Sequence, residues 1–256
     1  MRTVILAGGL GTRLSEETET RPKPMIEIGG RPILWHILSH YSGYGFREFV
    51  VALGYKGEVV KRFFTEYSDL VGSLSVDLGP GVVTRLDESP EDWKIHLIDT
   101  GEETNTGGRV KRVAEWVEGE TFFLTYGDGV SDVDLGALLR FHRSTGRMGT
   151  VTAVRPPARF GGLVFDGQLV GEFTEKPQTG EGWINGGFFV FEPEVLKLVD
   201  GDDASLEHDV LPRLVADRQL AAYRHDRFWQ CMDTMRDKRL LESLWSSGNP
   251  PWLASP

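Results

Sequence analysis

Cysteine is nearly absent from this chain: Cys231 stands alone among 256 residues. A single thiol excludes an intramolecular disulfide framework and any cysteine-rich zinc site. Positive charge is also in deficit, since 28 Lys and Arg against 38 Asp and Glu leave a formal net charge of −10. Non-specific nucleic-acid binding and attachment to an anionic membrane both need clustered positive charge, so neither partner is expected. No apolar run approaches the roughly 20 residues that span a bilayer. Met1–Ala7 enters a strand-like run directly and does not read as a signal peptide with a cleavage site. The expected location is a reducing cytoplasm.

What is present is a core. Hydrophobic residues make up 40% of the chain and aromatics 11%, which excludes disorder as the main state. In the first half, short apolar runs alternate with segments of helical period. Strands are expected at Thr3–Ala7, Glu48–Leu53, Lys94–Ile98 and Thr121–Tyr126. Helices are expected at Ile33–Tyr41, Gly57–Tyr67 and Arg109–Val117. That alternation predicts βαβ units and parallel pairing. The second half reads as closely spaced strands at Gly149–Arg155, Leu163–Phe165, Leu169–Phe173 and Ile184–Phe191. Helices follow at Ser205–Asp217 and Thr234–Trp245. With no linker and no repeat, the expectation is one α/β domain over 1–256. Residues 68–93 follow no clear period, and the Pro-rich end from Gly248 fits a packed arm and a frayed tail equally well.

Four segments carry candidate chemistry. In Leu6-Ala-Gly-Gly-Leu-Gly-Thr-Arg-Leu14, glycines follow a buried strand directly. Such a loop lets backbone N–H groups approach a phosphate, with Arg13 and Lys23 adding charge, although a plain glycine-rich turn reads the same way. Neither the P-loop nor the dinucleotide-binding pattern fits. Asp128, in Gly127-Asp-Gly129, and Asp233 each follow an apolar run. A pair of carboxylates suits Mg²⁺, yet Asp in such a turn is commonly just a turn former. Glu175-Lys-Pro177 and Asn185-Gly-Gly187 form the third segment. Taken alone they read as a solvated pair and a bulge. The fourth is Asp99-Thr-Gly-Glu-Glu-Thr-Asn-Thr-Gly-Gly-Arg109. Here Thr104 and Thr106 offer hydroxyls, Arg109 could reach a base carbonyl or a phosphate, and Thr106 is the expected helix N-cap.

Taken together, Ala7-Gly-Gly-Leu-Gly-Thr-Arg-Leu14, Pro22-Lys-Pro-Met25, Tyr126-Gly-Asp-Gly129, Arg159-Phe-Gly161, Glu175-Lys-Pro177, Ile184-Asn-Gly-Gly-Phe-Phe189 and Met232-Asp-Thr234 resemble the sugar-1-phosphate nucleotidyltransferases. Asp99–Arg109 resembles the branch that uses CTP and glucose 1-phosphate. The resemblance implies a single Rossmann-like domain with a mixed, mainly parallel sheet flanked by helices. Residues 1–130 would chiefly bind nucleotide, and 131–256 would bind sugar phosphate and supply the C-terminal helices.

It also implies roles. Arg13 and Lys23 would be catalytic. Leu6, Ala7, Gly8, Gly9, Gly11, Thr12, Arg13, Lys23, Thr104, Thr106, Arg109, Tyr126, Gly127 and Asp128 would bind nucleotide. Glu175, Lys176 and Asn185 would hold the sugar phosphate, and Asp128 and Asp233 would ligate Mg²⁺. A homo-oligomer is implied, with a hexamer among the forms admitted. Arg21 departs from the family, which usually has Lys there. Asp132-Val-Asp134 has the spacing of a glycosyltransferase metal motif but reads as a helix entry. His36 and His40 lie at i, i+4 with no third ligand in view, so zinc has no support.

Overall fold

The computed structural model of the chain describes residues 1–9, 11, 14–87, 91–156, 162–166, 169–174 and 182–253. Its centre is an eight-stranded sheet. In chain order the strands are β1 (Thr3–Ala7), β2 (Glu48–Leu53), β3 (Lys94–Asp99), β4 (Phe122–Tyr126), β5 (Gly149–Val154), β6 (Ile184–Asn185), β7 (Phe189–Phe191) and β8 (Leu220–His225). β1 pairs in parallel with β2 on one side and β4 on the other, and β2 continues in parallel to β3. Beyond β4 the sheet turns mixed. β7 runs antiparallel to β4 and β5, while β8 pairs in parallel with β5. β6 also pairs with β5, antiparallel. The run Ile184–Phe191, expected as one strand, is thus interrupted at Gly186–Phe188, where Phe188 takes a φ of 46°.

Alternation along the inner strands feeds two cores. Ile5, Phe49, Val51, Phe123 and Val190 face one, which helices Ile33–Gly43 and Leu135–Thr145 cover. Val4, Val50, Phe122, Leu124 and Phe191 face the other, beneath helices Thr106–Arg112 and Leu211–Ala216. Burial on both faces is why these strands read as unbroken apolar runs, with no polar alternation. Each such side chain, fully buried, contributes about 1.5–3 kcal/mol.

The chain order creates the crevice. From β1 the chain moves outward through β2 and β3, then returns to β4 on the opposite flank of β1. Parallel sheets bind ligands at the carboxyl ends of the strands where the order reverses. Ala7 and Tyr126 end the two strands at that point. A second device brings distant chain to the same place. Strand Gly129–Ser131, just past β4, pairs antiparallel with Trp229–Cys231 in the register Gly129↔Cys231.

The C-terminal stretch packs as an arm: Trp252 is fully buried in the first core, against helix Ile33–Gly43. The stretch without clear period contains a hairpin, Leu74–Asp77 with Val82–Arg85, that exposes Val76, Leu78, Val82, Val83 and Leu86. Asp134 caps helix Leu135–Thr145, accepting from the Ala137 N–H at 2.7 Å. Asp132 pairs with Arg227 at 2.9 Å, so the Asp-x-Asp segment is a helix entry.

Candidate active site

At the carboxyl ends of β1 and β4 lies a cavity of about 290 Å³. It is lined by Leu6, Ala7, Gly8, Gly9, Gly11, Lys23, Thr104, Thr106, Arg109, Tyr126, Gly127 and Asp128, together with Pro24 and Asn105. The sequence had singled out all but the last two. Thr12, Arg13, Glu175 and Lys176, with Arg159–Gly161, lie outside the described residues.

Lys23 opens a one-turn helix, Lys23–Met25, stiffened by Pro22 and Pro24. Its Nζ lies 2.6 Å from Asp128 Oδ2 and 2.5 Å from Asp233 Oδ1. Burial works against the ammonium, but the two carboxylates outweigh it and hold its pKa above the ordinary 10.5. The ribbon explains the meeting of the two acids. Cys231 is paired opposite Gly129, and the Met232 N–H donates to the Asp128 carbonyl at 2.8 Å, which sets Asp233 beside the Gly-Asp-Gly turn. Helix Met235–Ser246 then starts from a capping box built by Thr234 and Asp237, so Asp233 does not serve as the cap. Cys231 Sγ lies 3.6 Å from Asp233 Oδ2, and burial pushes this thiol up to about 12.

Arg109 is buried at the base of the cavity. Its guanidinium donates to the carbonyls of Gly8, Leu53, Gly101 and Glu102 and to the Thr100 hydroxyl, at 2.6–3.1 Å. It thereby ties the glycine loop to the ends of β2 and β3. A Cβ on Gly8 would stand 2.2 Å from this guanidinium, so the position admits no side chain without a shift.

The sequence profile of the nucleotidyl transferase family matches residues 2–243. The chain belongs to this family. It is 47% identical over 253 residues to glucose-1-phosphate cytidylyltransferase of Salmonella typhi, covering 98% of each chain. It is 30% identical over 246 residues to mannose-1-phosphate guanyltransferase of Hypocrea jecorina, covering 93% of this chain and 62% of that one. Among solved structures, HddC from Yersinia pseudotuberculosis complexed with GMP-PN shares the fold, with a TM-score of 0.69 at 23% identity over 95% of this chain and 99% of that one.

In this nucleotidyl transferase the Thr-Gly-Gly-Arg segment does more packing than the sequence indicates. Asn105, and not Thr106, caps the helix: its side chain accepts from the Thr106 N–H. Cβ atoms on Gly107 and Gly108 would stand 2.7 and 2.3 Å from the carbonyl oxygens of Ala204 and Asp202. The two glycines therefore let helix Thr106–Arg112 seat on the backbone of 202–206. Asn185 reaches the cavity wall, donating to the Tyr126 hydroxyl at 3.2 Å. Arg21 pairs with Glu27 at 2.9 Å on the surface.

The histidine pair is structural. His36 bonds to the Ile28 carbonyl and the Trp252 indole, and His40 to the carbonyls of Val133 and Trp252. Among the described residues no group of three or more His, Cys, Asp or Glu stands together as a metal site. Two carboxylates converging on one cationic nitrogen form an all-oxygen donor set that fits a hard divalent ion. Such an ion would take its remaining ligands from substrate phosphates and water. No helix among the described residues is long and apolar enough to cross a membrane.

Proposed function

We propose that the chain transfers the cytidylyl group of CTP to α-D-glucose 1-phosphate, releasing pyrophosphate and forming CDP-glucose. The observation that carries this reading is the end-to-end likeness, 47% identity, to a glucose-1-phosphate cytidylyltransferase. The acid pair, Lys23 and the glycine loop around one cavity agree with it.

A phosphate oxygen of the sugar attacks the α-phosphorus of CTP. The bond from that phosphorus to the bridging oxygen breaks, and pyrophosphate leaves with the electron pair. The nucleophile is already an oxyanion, so no strong general base is required. Catalysis is alignment plus neutralisation of charge. Gly8, Gly9 and Gly11 present the loop backbone to the phosphates. Lys23 and Arg13 carry positive charge to the reacting phosphoryl group. Arg109 fixes the loop and offers the base or a phosphate a rigid cation, with Thr104 and Thr106 lining the base side. Lys176 holds the sugar phosphate, and Glu175 and Asn185 the sugar. Asp128 and Asp233 would hold Mg²⁺, which when bound supplies polarisation of a phosphoryl oxygen and neutralising charge. Residues 1–130 supply most of the nucleotide half of this site, and 131–256 most of the sugar-phosphate half.

The 30% likeness to a mannose-1-phosphate guanyltransferase keeps a second base and sugar open to test. Product identification with CTP, UTP, dTTP and GTP against several hexose 1-phosphates decides between them. CDP-glucose as the main product is expected, and a preference for another nucleotide overturns the reading. The proposal includes a cytoplasmic location, where CTP is made, and a homo-oligomer, the hexamer among its forms. The exposed aliphatic hairpin at 74–86 supports self-association. Sedimentation at micromolar concentration reads it, and a monomer removes that part.

A further inference from the structure

Glu207 lies behind the cavity wall, in a π-helical turn, Leu206–Val210. Its carboxylate gathers three hydroxyl donors: Tyr126 at 2.5 Å, Thr106 at 2.6 Å and Ser205 at 3.0 Å. Thr106 and Tyr126 both line the cavity, one from the start of helix Thr106–Arg112 and the other from the end of β4. Glu207 itself does not line it. The sequence offers nothing at this position beyond a charged residue in an expected helix.

Hydrogen-bond direction makes the network one-way. Thr106 Oγ1 accepts from the Leu206 N–H at 2.9 Å and donates to Glu207. The Tyr126 oxygen accepts from Asn185 Nδ2 and donates to the other carboxylate oxygen. Asn185 is fixed in turn, because its Oδ1 accepts from the Gly187 N–H at 2.9 Å. Only an acceptor-only group receives three hydroxyl donors without a mismatch, and an ionised acceptor makes each bond about twice as strong as a neutral one. The glycine contacts that seat helix Thr106–Arg112 on residues 202–206 give the carboxylate a rigid base. Linked donors of this kind polarise one another.

We infer that Glu207 is a positioning residue of the nucleotide site. It holds the Thr106 and Tyr126 walls at a set separation and, through Tyr126, ties them to Asn185. This inference rests on the nucleotidyl-transfer reading for its substrate. A wall that contacts nucleotide equally before and during reaction alters KM and leaves kcat nearly unchanged.

The test measures steady-state kinetics with CTP and glucose 1-phosphate, and in parallel CTP affinity by calorimetry, for wild type, E207A, E207Q, Y126F and the Y126F/E207A double variant. E207A is expected to raise the CTP KM and Kd roughly tenfold or more, with kcat within about threefold. E207Q keeps one acceptor oxygen and recovers part of the loss. The double variant is expected to lose less than the sum of the two single losses, because both variants break the Tyr126–Glu207 bond and Y126F adds only the loss of the Asn185 contact. An unchanged CTP KM in E207A overturns the inference, as does a fall confined to kcat, or losses that simply add in the double variant. If E207A does not fold, E207Q and Y126F carry the same comparison. A wild type that binds CTP but yields no nucleotide sugar refutes the activity reading alone, while the calorimetry still tests Glu207. A wild type that binds no CTP refutes both.

Discussion

Lys23 and Asp233 stand 210 residues apart in the chain and meet with 2.5 Å between Nζ and Oδ1. Asp128 completes the contact from the other side at 2.6 Å. A cation held between two acids marks a place where the fold expects positive charge, and each of the three groups is indispensable to that balance. D128N, D233N and K23A should each lower turnover by about 10²–10³. The fold should survive D233N, since Thr234 and Asp237 cap the following helix without it. Pyrophosphate release across a Mg²⁺ titration measures the loss, and near-wild-type turnover in any of the three contradicts the assignment.

Arg109 invites a conservative exchange that should not behave as one. Its fork reaches five acceptors on three separate segments. Lysine has one nitrogen and no planar fork, so it cannot bond all three segments at once, even though the Gly8 and Leu53 carbonyls keep the N–H groups of Tyr55 and Thr100. R109K is expected to lose about 2–4 kcal/mol of stability and to bind CTP more weakly, because the glycine loop loses its tether. Denaturant melts with and without CTP read both effects. A stability within error of wild type excludes the tethering role.

Acid should act through the histidine pair. Burial lowers both His36 and His40 from the ordinary 6.5 to about 4, despite the carbonyls that favour the charged rings. The unfolded chain takes up these protons first. The stabilisation is therefore complete above pH 6.5 and fades as the pH falls toward 4, by up to about 3 kcal/mol for each ring. His36 Nδ1 accepts from the Trp252 indole at 3.2 Å, a bond that protonation abolishes. Imidazole resonances followed by NMR should show both rings neutral at pH 5. A ring that titrates near 6.5 in the folded protein rules out its share.

The arm that these histidines grip should matter as much as a core helix. Trp252 is fully buried and packs at 5.7 Å, stacked, on Phe228. W252A should destabilise the protein by about 3–5 kcal/mol, the range for emptying a large aromatic site. Thermal melts check it, and a shift of only a degree or two would show that the arm is dispensable.

The sequence disclosed most of the sheet because buried parallel strands such as Thr3–Ala7 and Phe49–Leu53 have no polar alternation to confuse them. It did not disclose the hairpin Leu74–Arg85, whose residues are mostly exposed on both faces and so follow neither helical nor strand period. The cavity lining was legible wherever it followed a strand, as at Leu6–Gly9 and Tyr126–Asp128. The segment around Thr106 was read less well. Its glycines suggest a ligand loop, whereas their tightest contacts are with the backbone of 202–206, a relationship of tertiary packing that no local pattern carries. Glu207 was hidden for the same reason.

The ribbon joining Gly129–Ser131 to Trp229–Cys231 sets an order of events in synthesis. A ribosome finishes the glycine loop, Lys23 and Asp128 long before it reaches Asp233. Until that late strand docks, a nascent chain holds the glycine loop, Lys23 and Asp128 without the second acid. On the proposed reaction, competence for phosphoryl transfer is therefore expected only once the fold has closed on Asp233.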